Sequence, residues 1–312
     1  MILVTGGSGY LGSHIVRRLV ADGVDVRVLV HDIDRSRREG RLMDLPVELV
    51  EGDVTQPETL PSAIAGIEAI VHTVAIAIER GRGTYEEVNT KGTVHMVDAA
   101  SAADVRRFIN ISQLGAAPDL PYRFLASKGR AQEYVAASNL EWTAFRPSVI
   151  WGPEDEFANT FARLVPLTPI VFPIVGGPEA RFQPVWVEDV VSAVVKSLED
   201  PSTIREEYEL GGPEVLTLEQ IERRTLEAIG ARRVMVRFPM PLLRLAVRVM
   251  EAVLPNPPVT SSLLELLAVS NVTSKNALGR FVAEPRAFTA EAASEYMREF
   301  TVRQTLRKFL GR

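Results

Sequence analysis

Cysteine is absent from the 312 residues, which removes disulfides, thiolate metal sites and cysteine nucleophiles together. The lack is compatible with a reducing compartment. Histidine is scarce: His14, His31, His72 and His95 are the whole set, and no two have the i,i+4 spacing that puts two ligands on one helix face. No metal is expected. Positive charge is not in excess, since 35 Lys and Arg against 40 Asp and Glu leave a formal net charge of −5. No nucleic-acid partner is expected. The most apolar stretch, Leu242 to Leu254, is broken by Arg244, Arg248 and Glu251, well short of the ~18 residues that a bilayer span needs. It reads as an amphipathic helix that either packs over the second domain's pocket or lies on a membrane or a partner. No basic, cleavable apolar leader opens the sequence Met1-Ile2-Leu3-Val4-Thr5. A cytoplasmic location follows as the expectation, with membrane association as the variant that the amphipathic helix allows.

What is present indicates a folded enzyme-sized chain. Hydrophobic residues at 46% and charged residues at 24% are close to the globular average, so a buried core is expected. A length of 312 implies one sizeable domain and a smaller dependent one. In the first half, short β-branched runs alternate with longer segments of helical period, the signature of a doubly wound, Rossmann-type parallel sheet. The spacing predicts strands at Ile2 to Thr5, Val24 to Val30, Val47 to Glu51, Ala69 to Thr73, Arg107 to Ser112 and Trp142 to Arg146. Helices are predicted at Tyr10 to Ala21, closed by Asp22-Gly23, and at Pro57 to Ile64, Thr84 to Ala102 and Ser127 to Ser138. From Pro147 to Pro184 the chain is dense in Pro and Gly, and from Leu216 to Arg312 it reads as mostly helical. The expected division is a dinucleotide-binding domain over 1–147 with a returning segment at about 182–211. A smaller, mostly helical domain over 148–181 and 212–312 would serve substrate or partner.

Ligands of such sheets bind beyond the C-terminal ends of the strands. There the sequence places Gly6-Gly7-Ser8-Gly9-Tyr10-Leu11-Gly12 between the first strand and the first helix. It satisfies both G-x-x-G-x-x-G and G-x-G-x-x-G. Glycine is required for an unusual φ, for close approach of main chain to a pyrophosphate, and for tight packing of helix on sheet. The unpaired amides of the first helical turn then face the phosphates. After the third strand, Gly52-Asp53-Val54 offers a carboxylate for the adenine amino group, or a cap for the next helix. After the second strand come His31, Asp32 and Arg35, with Arg37 and Arg38. Asp32 suits the ribose 2′-hydroxyl of NAD(H), whereas the arginines suit the 2′-phosphate of NADP(H) or form a solvated helix face. NADP(H) is favoured and NAD(H) remains open.

With Val88-Asn89-Thr90-Lys91-Gly92-Thr93, Arg146-Pro147 with Gly152-Pro153, and Arg181-Phe182-Gln183-Pro184-Val185-Trp186-Val187-Glu188-Asp189-Val190 added, nearly the whole chain resembles the extended and atypical short-chain dehydrogenase/reductase superfamily. Ser112-Gln113-Leu114-Gly115-Ala116, Tyr208-Glu209-Leu210-Gly211-Gly212-Pro213 and the Leu-rich helix make it most similar to the branch that contains the nucleotide-binding accessory subunit of respiratory complex I. An NAD-dependent epimerase/dehydratase-like protein has the same outline.

The resemblance implies a Tyr-x-x-x-Lys pair and a nearby hydroxyl that move a proton as hydride moves at the nicotinamide. Lys128 fits the lysine, but the residue four before it is Phe124, which has no ionisable proton. Tyr122 lies six residues before Lys128, which turns it ~240° away on a regular helix. It serves only if the turn after Pro121 bulges. Either Ser112 or Gln113 stands at the hydroxyl position, and only Ser112 can relay a proton. Lys128 would still anchor the ribose, and Val74, Val54 and Pro147 would line the coenzyme. Asn89 would lie near the coenzyme end of a central helix or make a structural bond. Arg181 would contact an anion or a carboxylate.

Three functions follow from the resemblance. The first is a holder of NADP(H) with weak or absent turnover. The second is an NAD(P)-dependent reductase or epimerase acting on a small substrate such as a quinone, isoprenoid or nucleotide-sugar. The third is a redox sensor. The long helices allow a homodimer or a monomer. The apolar helix after Pro239 and the basic tail Arg303, Arg307, Lys308 and Arg312 are the expected contacts for a peripheral membrane or a respiratory complex.

Overall fold

The computed structural model describes all residues except 39, 82, 175–178, 239, 256, 258, 298–299 and 311–312, and the side chains of Met240 and Lys308. Of the expected basic tail, Arg312 and the Lys308 side chain therefore lie outside the described residues.

Along the chain come β1 (Ile2–Thr5), α1 (Tyr10–Ala21), β2 (Val26–Val30), α2 (Ile33–Arg38), β3 (Glu48–Glu51), α3 (Leu60–Ile64) and β4 (Ala69–His72). A π-helical turn, Glu86–Lys91, leads into α4 (Gly92–Ala102), followed by β5 (Arg107–Ile111), α5 (Arg123–Ala137) and β6 (Glu141–Pro147). Then follow β7 (Ile150–Trp151), α6 (Ala158–Leu164), β8 (Val171–Ile174), β9 (Arg181–Phe182), β10 (Val185–Trp186), α7 (Val187–Glu199) and β11 (Glu206–Leu210). The chain continues through β12 (Leu216–Thr217), α8 (Leu218–Ala228), β13 (Val234–Arg237), α9 (Met240–Val253) and α10 (Ser261–Leu266). It ends with α11 (Leu278–Phe281), α12 (Ala290–Ser294) and α13 (Val302–Phe309).

Two compact units result. The first comprises Met1–Pro147, Val187–Leu210 and Lys275–Glu284. Its seven-stranded sheet has the order β11-β6-β5-β4-β1-β2-β3, with every pairing parallel. The strand sequence reverses between β1 and β4, which is the topological switch point where this architecture opens a crevice. Strands β1 and β4 read as continuous apolar runs because both faces are covered. Leu3, Ile70, Phe108 and Trp142 pack with Met96 of α4 and Val135 of α5 in one core cluster. Helices α1 and α7 are tied by His14, whose Nδ1–H donates to the Glu188 carboxylate at 2.5 Å. Arg107 is buried at the foot of β5, where it donates to the Glu141 carbonyl and to Thr143 and Thr203 hydroxyls.

Several sequence expectations shift here. The helix expected from Ser127 begins four residues earlier at Arg123, because Tyr122 already serves as its N-cap. The helix expected over Thr84 to Ala102 is interrupted by the π turn. The returning segment starts at Val187 rather than 182, since Arg181–Trp186 pairs with β12 and β7. The stretch Lys275–Glu284, expected in the smaller domain, belongs to the first unit. There Phe281 of α11 packs edge-on to Phe145 and Tyr208, with ring centroids 5.4 and 5.1 Å apart.

The second unit comprises Ser148–Trp186, Gly211–Ser274 and Pro285–Arg312. Trp151, Phe161, Phe172, Phe182 and Phe288 form its core, with the Trp151 and Trp186 ring centroids 4.4 Å apart. Asp155 is fully buried and accepts from the amides of Gly152, Phe157 and Asn159 and from the Tyr296 hydroxyl. Burial raises its carboxyl to about 6. Helix α9 packs Leu243, Val247 and Met250 against this core. Among the described residues no helix is long and apolar enough to cross a membrane.

Candidate functional site

At the switch point β1 stops at Thr5 and Gly6 takes φ +75°, a left-handed conformation that side chains disfavour. A Cβ on Gly6 would also lie 2.6 Å from Thr73 Oγ1 and 3.0 Å from the Val74 amide. This contact sets Thr73 and Val74, just past β4, against the glycine turn. Gly12 meets a different constraint. A Cβ there would come within 2.2 Å of the Gly6 carbonyl oxygen, so α1 can lie against the turn only without a side chain at this position. Gly7 is buried over Val28, whereas Ser8 and Gly9 are exposed. Leu11 is buried in the core, so it can offer a ligand only its main chain.

Gly9 is the N-cap of α1, no side chain caps the first turn, and no acidic residue stands in it. The positive end of the helix dipole is thus left for an external anion. A diphosphate fits this cradle by charge and by the absence of side-chain bulk.

The ends of β2 and β3 bring His31 and Asp53 together, with His31 Nδ1 3.6 Å from Asp53 Oδ2. Asp53 Oδ1 accepts from the amide and hydroxyl of Thr55, both at 2.8 Å, which builds a tight turn. Asp32 Oδ1 accepts from the Arg35 amide at 2.8 Å, so one carboxylate oxygen caps α2 and does not wait for a ribose. Arg35, Arg37 and Arg38 form the exposed last turn of that helix. The Val54 side chain is buried in the core, and its carbonyl accepts from His95 Nδ1–H at 2.8 Å.

Beyond β4 and β5 lies a buried polar network. His72 is wholly buried, with Nδ1 2.7 Å from Thr5 Oγ1 and Nε2 3.1 Å from Thr93 Oγ1. Thr93 gives its own proton to the Asn89 carbonyl at 2.8 Å. Nε2 is therefore the donor, and in the neutral ring Nδ1 accepts from Thr5. Burial, helped by the charge of Lys128, holds His72 down at about 3. Sequence reasoning missed this residue as part of the site. Its signal was a polar residue ending the apolar run Ala69-Ile70-Val71.

Lys128 is 3% exposed and donates from Nζ to the Ile111 carbonyl at 2.7 Å. Burial lowers its ammonium to about 8. Asn89 Oδ1 accepts from the Ile76 amide at 2.8 Å, while Nδ2 donates to Ile76 O and to Ser127 Oγ at 3.2 Å. The π turn is what carries Asn89 to that position, pinning the segment after β4 to α5.

One turn before Lys128, the Phe124 ring lies against Tyr85, whose hydroxyl donates to the Ala77 carbonyl at 2.8 Å. Tyr122 is the N-cap of α5, and the Ala126 amide bonds its carbonyl at 2.9 Å. The first turn of α5 closes in the regular way, with Tyr122 itself extended. At the end of β5, Gln113 donates from Nε2 to the Pro147 carbonyl at 3.2 Å, where the buried Pro147 ends β6. The Ser112 hydroxyl, 4% exposed, has no hydrogen-bond partner among the described residues. Of the two candidates at this position, Gln113 has its Nε2 engaged and Ser112 has its hydroxyl buried without a partner among the described residues.

In the second unit, Gln183 joins the Gly212 carbonyl and the Thr273 amide. Arg181 donates to the Ala180 carbonyl. Arg146, in the first unit, is held by Glu207 at 3.1 Å and by the Ala116 carbonyl at 2.6 Å.

Residues 6–165 match the family model described as NAD(P)H-binding. Among curated proteins, the chain is 30% identical over 243 residues to "NADH dehydrogenase [ubiquinone] 1 alpha subcomplex subunit 9, mitochondrial" of Arabidopsis thaliana. That alignment covers 77% of this chain and 60% of the plant protein, so the chain spans about three fifths of that relative's length. It is also 30% identical to the ceramide reductase of Caulobacter vibrioides, over 77% of this chain and 74% of the relative. Among solved structures, the UDP-glucose 4-epimerase of Thermus thermophilus in complex with NAD superposes with a TM-score of 0.71 at 21% identity. The superposition covers 95% of this chain and 97% of the epimerase, a likeness of fold.

Proposed function

The chain belongs to the NAD(P)H-binding family, as an atypical short-chain dehydrogenase/reductase related to the complex I subunit. From that premise we propose that it holds NADP(H) and turns it over weakly or not at all. The observation that carries this reading is Phe124. On α5 it occupies the position, one turn before Lys128, where a proton-transferring phenol would stand, and its ring is packed against Tyr85. A bound nicotinamide supplies a hydride donor or acceptor. The chain's own residues supply a diphosphate cradle at Gly6 to Gly12 and a ribose anchor at Lys128. Preference for the phosphorylated coenzyme is supported by Arg35, Arg37 and Arg38 at the end of α2, where the neighbouring Asp32 is engaged in capping.

A second reading, an NAD(P)-dependent reductase or epimerase on a small substrate, is favoured by one feature. The buried Ser112 hydroxyl is without a partner among the described residues and directly follows Ile111, which holds Lys128. Coenzyme content of the purified protein separates the two. The holding function predicts bound NADPH that quinones, aldehydes and sugar nucleotides fail to oxidise; rapid oxidation by any of them establishes the enzyme. If the protein is isolated empty and calorimetry with either coenzyme registers no heat, both readings fall. The complex I subunit named among its relatives leads to a further part of the proposal, that this chain works at the surface of a membrane or membrane complex.

A further inference from the structure

Large apolar side chains are exposed mainly on one connected set of elements in the second unit. Of 17 such residues among those described, 11 lie on α9, β13, β8, α13 or the turn Val165–Leu167 with its following residues, and Phe238 and Leu310 directly follow β13 and α13. A random scatter would need no explanation; this concentration does. The elements are joined. Helix α13 packs on Val165–Leu167, which leads into β8. Strand β8 pairs with β13 in a register that sets exposed Val171 beside exposed Val234, and α9 is the next element after β13 in the chain.

Helix α9 shows what the surface is built for. Leu243, Val247 and Met250 face the core. A second apolar stripe, Leu242, Leu245, Val249 and Val253, is 55–71% exposed. By the 3.6-residue period it is centred about 120° from the first. Arg244 and Arg248 border the stripes. Helix α13 repeats the arrangement: Thr305 and Phe309 are buried, Val302, Leu306 and Leu310 are 42–48% exposed, and Arg303 and Arg307 lie beside them. None of these four arginines forms an ion pair among the described residues.

We infer that this face docks on an anionic phospholipid bilayer, with the apolar stripes entering the headgroup boundary and the arginines meeting lipid phosphates. Charge selects this occupant. Residues 232–253 carry five arginines against one glutamate in a chain of net charge −5, so two copies would repel face to face, whereas an anionic surface attracts. Arginine stems beside apolar stripes let the charged heads reach the interface as the stripes sink. The inference deepens the membrane-side location proposed above and does not depend on the coenzyme.

Vesicle flotation tests it, using pure phosphatidylcholine and a three-to-one mixture with phosphatidylglycerol. The full chain floats with the mixed vesicles, at least about tenfold better than with the neutral ones, and is released by salt. Leu245→Glu with Val249→Glu, and separately Arg244→Glu with Arg248→Glu, abolish flotation. Coenzyme calorimetry on the same variants remains unchanged, which reports that they are folded. Absence of flotation, equal flotation with neutral vesicles, or flotation retained by either double variant overturns the inference. So does a concentration-dependent dimer in sedimentation that Leu245→Glu with Val249→Glu dissolves, since it assigns the face to a second copy. Absence of flotation by the unmutated chain with intact coenzyme binding removes this inference alone; flotation of the unmutated chain with no coenzyme binding removes only the coenzyme reading.

Discussion

The Phe124 ring stands edge-on to Tyr85, with centroids 5.7 Å apart and planes at 69°. The position that would carry a proton-transferring hydroxyl is thereby filled by an aromatic contact of the kind worth roughly 1 kcal/mol beyond burial.

Restoring the hydroxyl tests how much of the relay survives. Phe124→Tyr adds one oxygen to a half-buried ring, so the fold is expected to tolerate it. Single-turnover oxidation of NADPH by a panel of aldehydes and quinones is expected to rise about 10²-fold or more. An unchanged rate would place the defect elsewhere, for instance in the orientation of Ser112.

Gly12→Ala strikes the cradle itself. Its Cβ would sit 2.2 Å from the Gly6 carbonyl oxygen, main chain that cannot step aside. Coenzyme affinity measured by calorimetry should fall about a hundredfold, equivalent to ~2.7 kcal/mol, and the melting temperature should drop with it.

Lys128 predicts an alkaline effect. Its folded pKa, about 8, lies below the ordinary 10.5, so folding favours the neutral amine. The penalty is full below pH 8 and is relieved as pH rises from 8 to 10.5. Lys128→Met should stabilise the coenzyme-free protein at pH 7 by on the order of 2 kcal/mol, after allowing ~1 for the orphaned Ile111 carbonyl. Urea denaturation should show that advantage shrinking across the same pH window. The variant should also bind coenzyme more weakly.

His72 predicts an acid effect. Its folded pKa, about 3, lies below 6.5, so the unfolded chain takes up a proton first. The stability that the neutral ring secures is present above pH 6.5 and is lost as pH falls toward 3, on the order of 5 kcal/mol in total. His72→Gln should begin less stable at neutral pH and show a flatter decline between those limits in denaturant titrations.

The sequence made the sheet and the glycine turn legible because both depend on short-range pattern. Tyr10–Ala21 is bounded by Gly9 and Asp22, and every strand of the first half appears within two residues of its expected start. Long-range partners were not legible. Nothing local in Asn89 says that its amide will hold the Ile76 main chain through a π turn. Nothing in His72 names Thr5 and Thr93 as its partners. Asp32 is read from the sequence as a ribose ligand, and the short α2 engages one of its oxygens through the Arg35 amide. Nor does anything local in Gln113 say that its amide will reach the Pro147 carbonyl at the end of β6.

The first unit is assembled from three separated stretches of chain, the last of them Lys275–Glu284. During synthesis, a nascent polypeptide released only as far as Pro147 has β6 as a bare sheet edge, since β11 is still to come. It also lacks Phe281 against Phe145, and Arg280, which bonds Asp200 at 3.0 Å. Translation must therefore pass Leu210 before the sheet has all its strands, and Glu284 before the unit has all its chain. Until Glu206–Leu210 emerges the ribosome holds an unfinished sheet, whose open edge at β6 is exposed to wrong pairing.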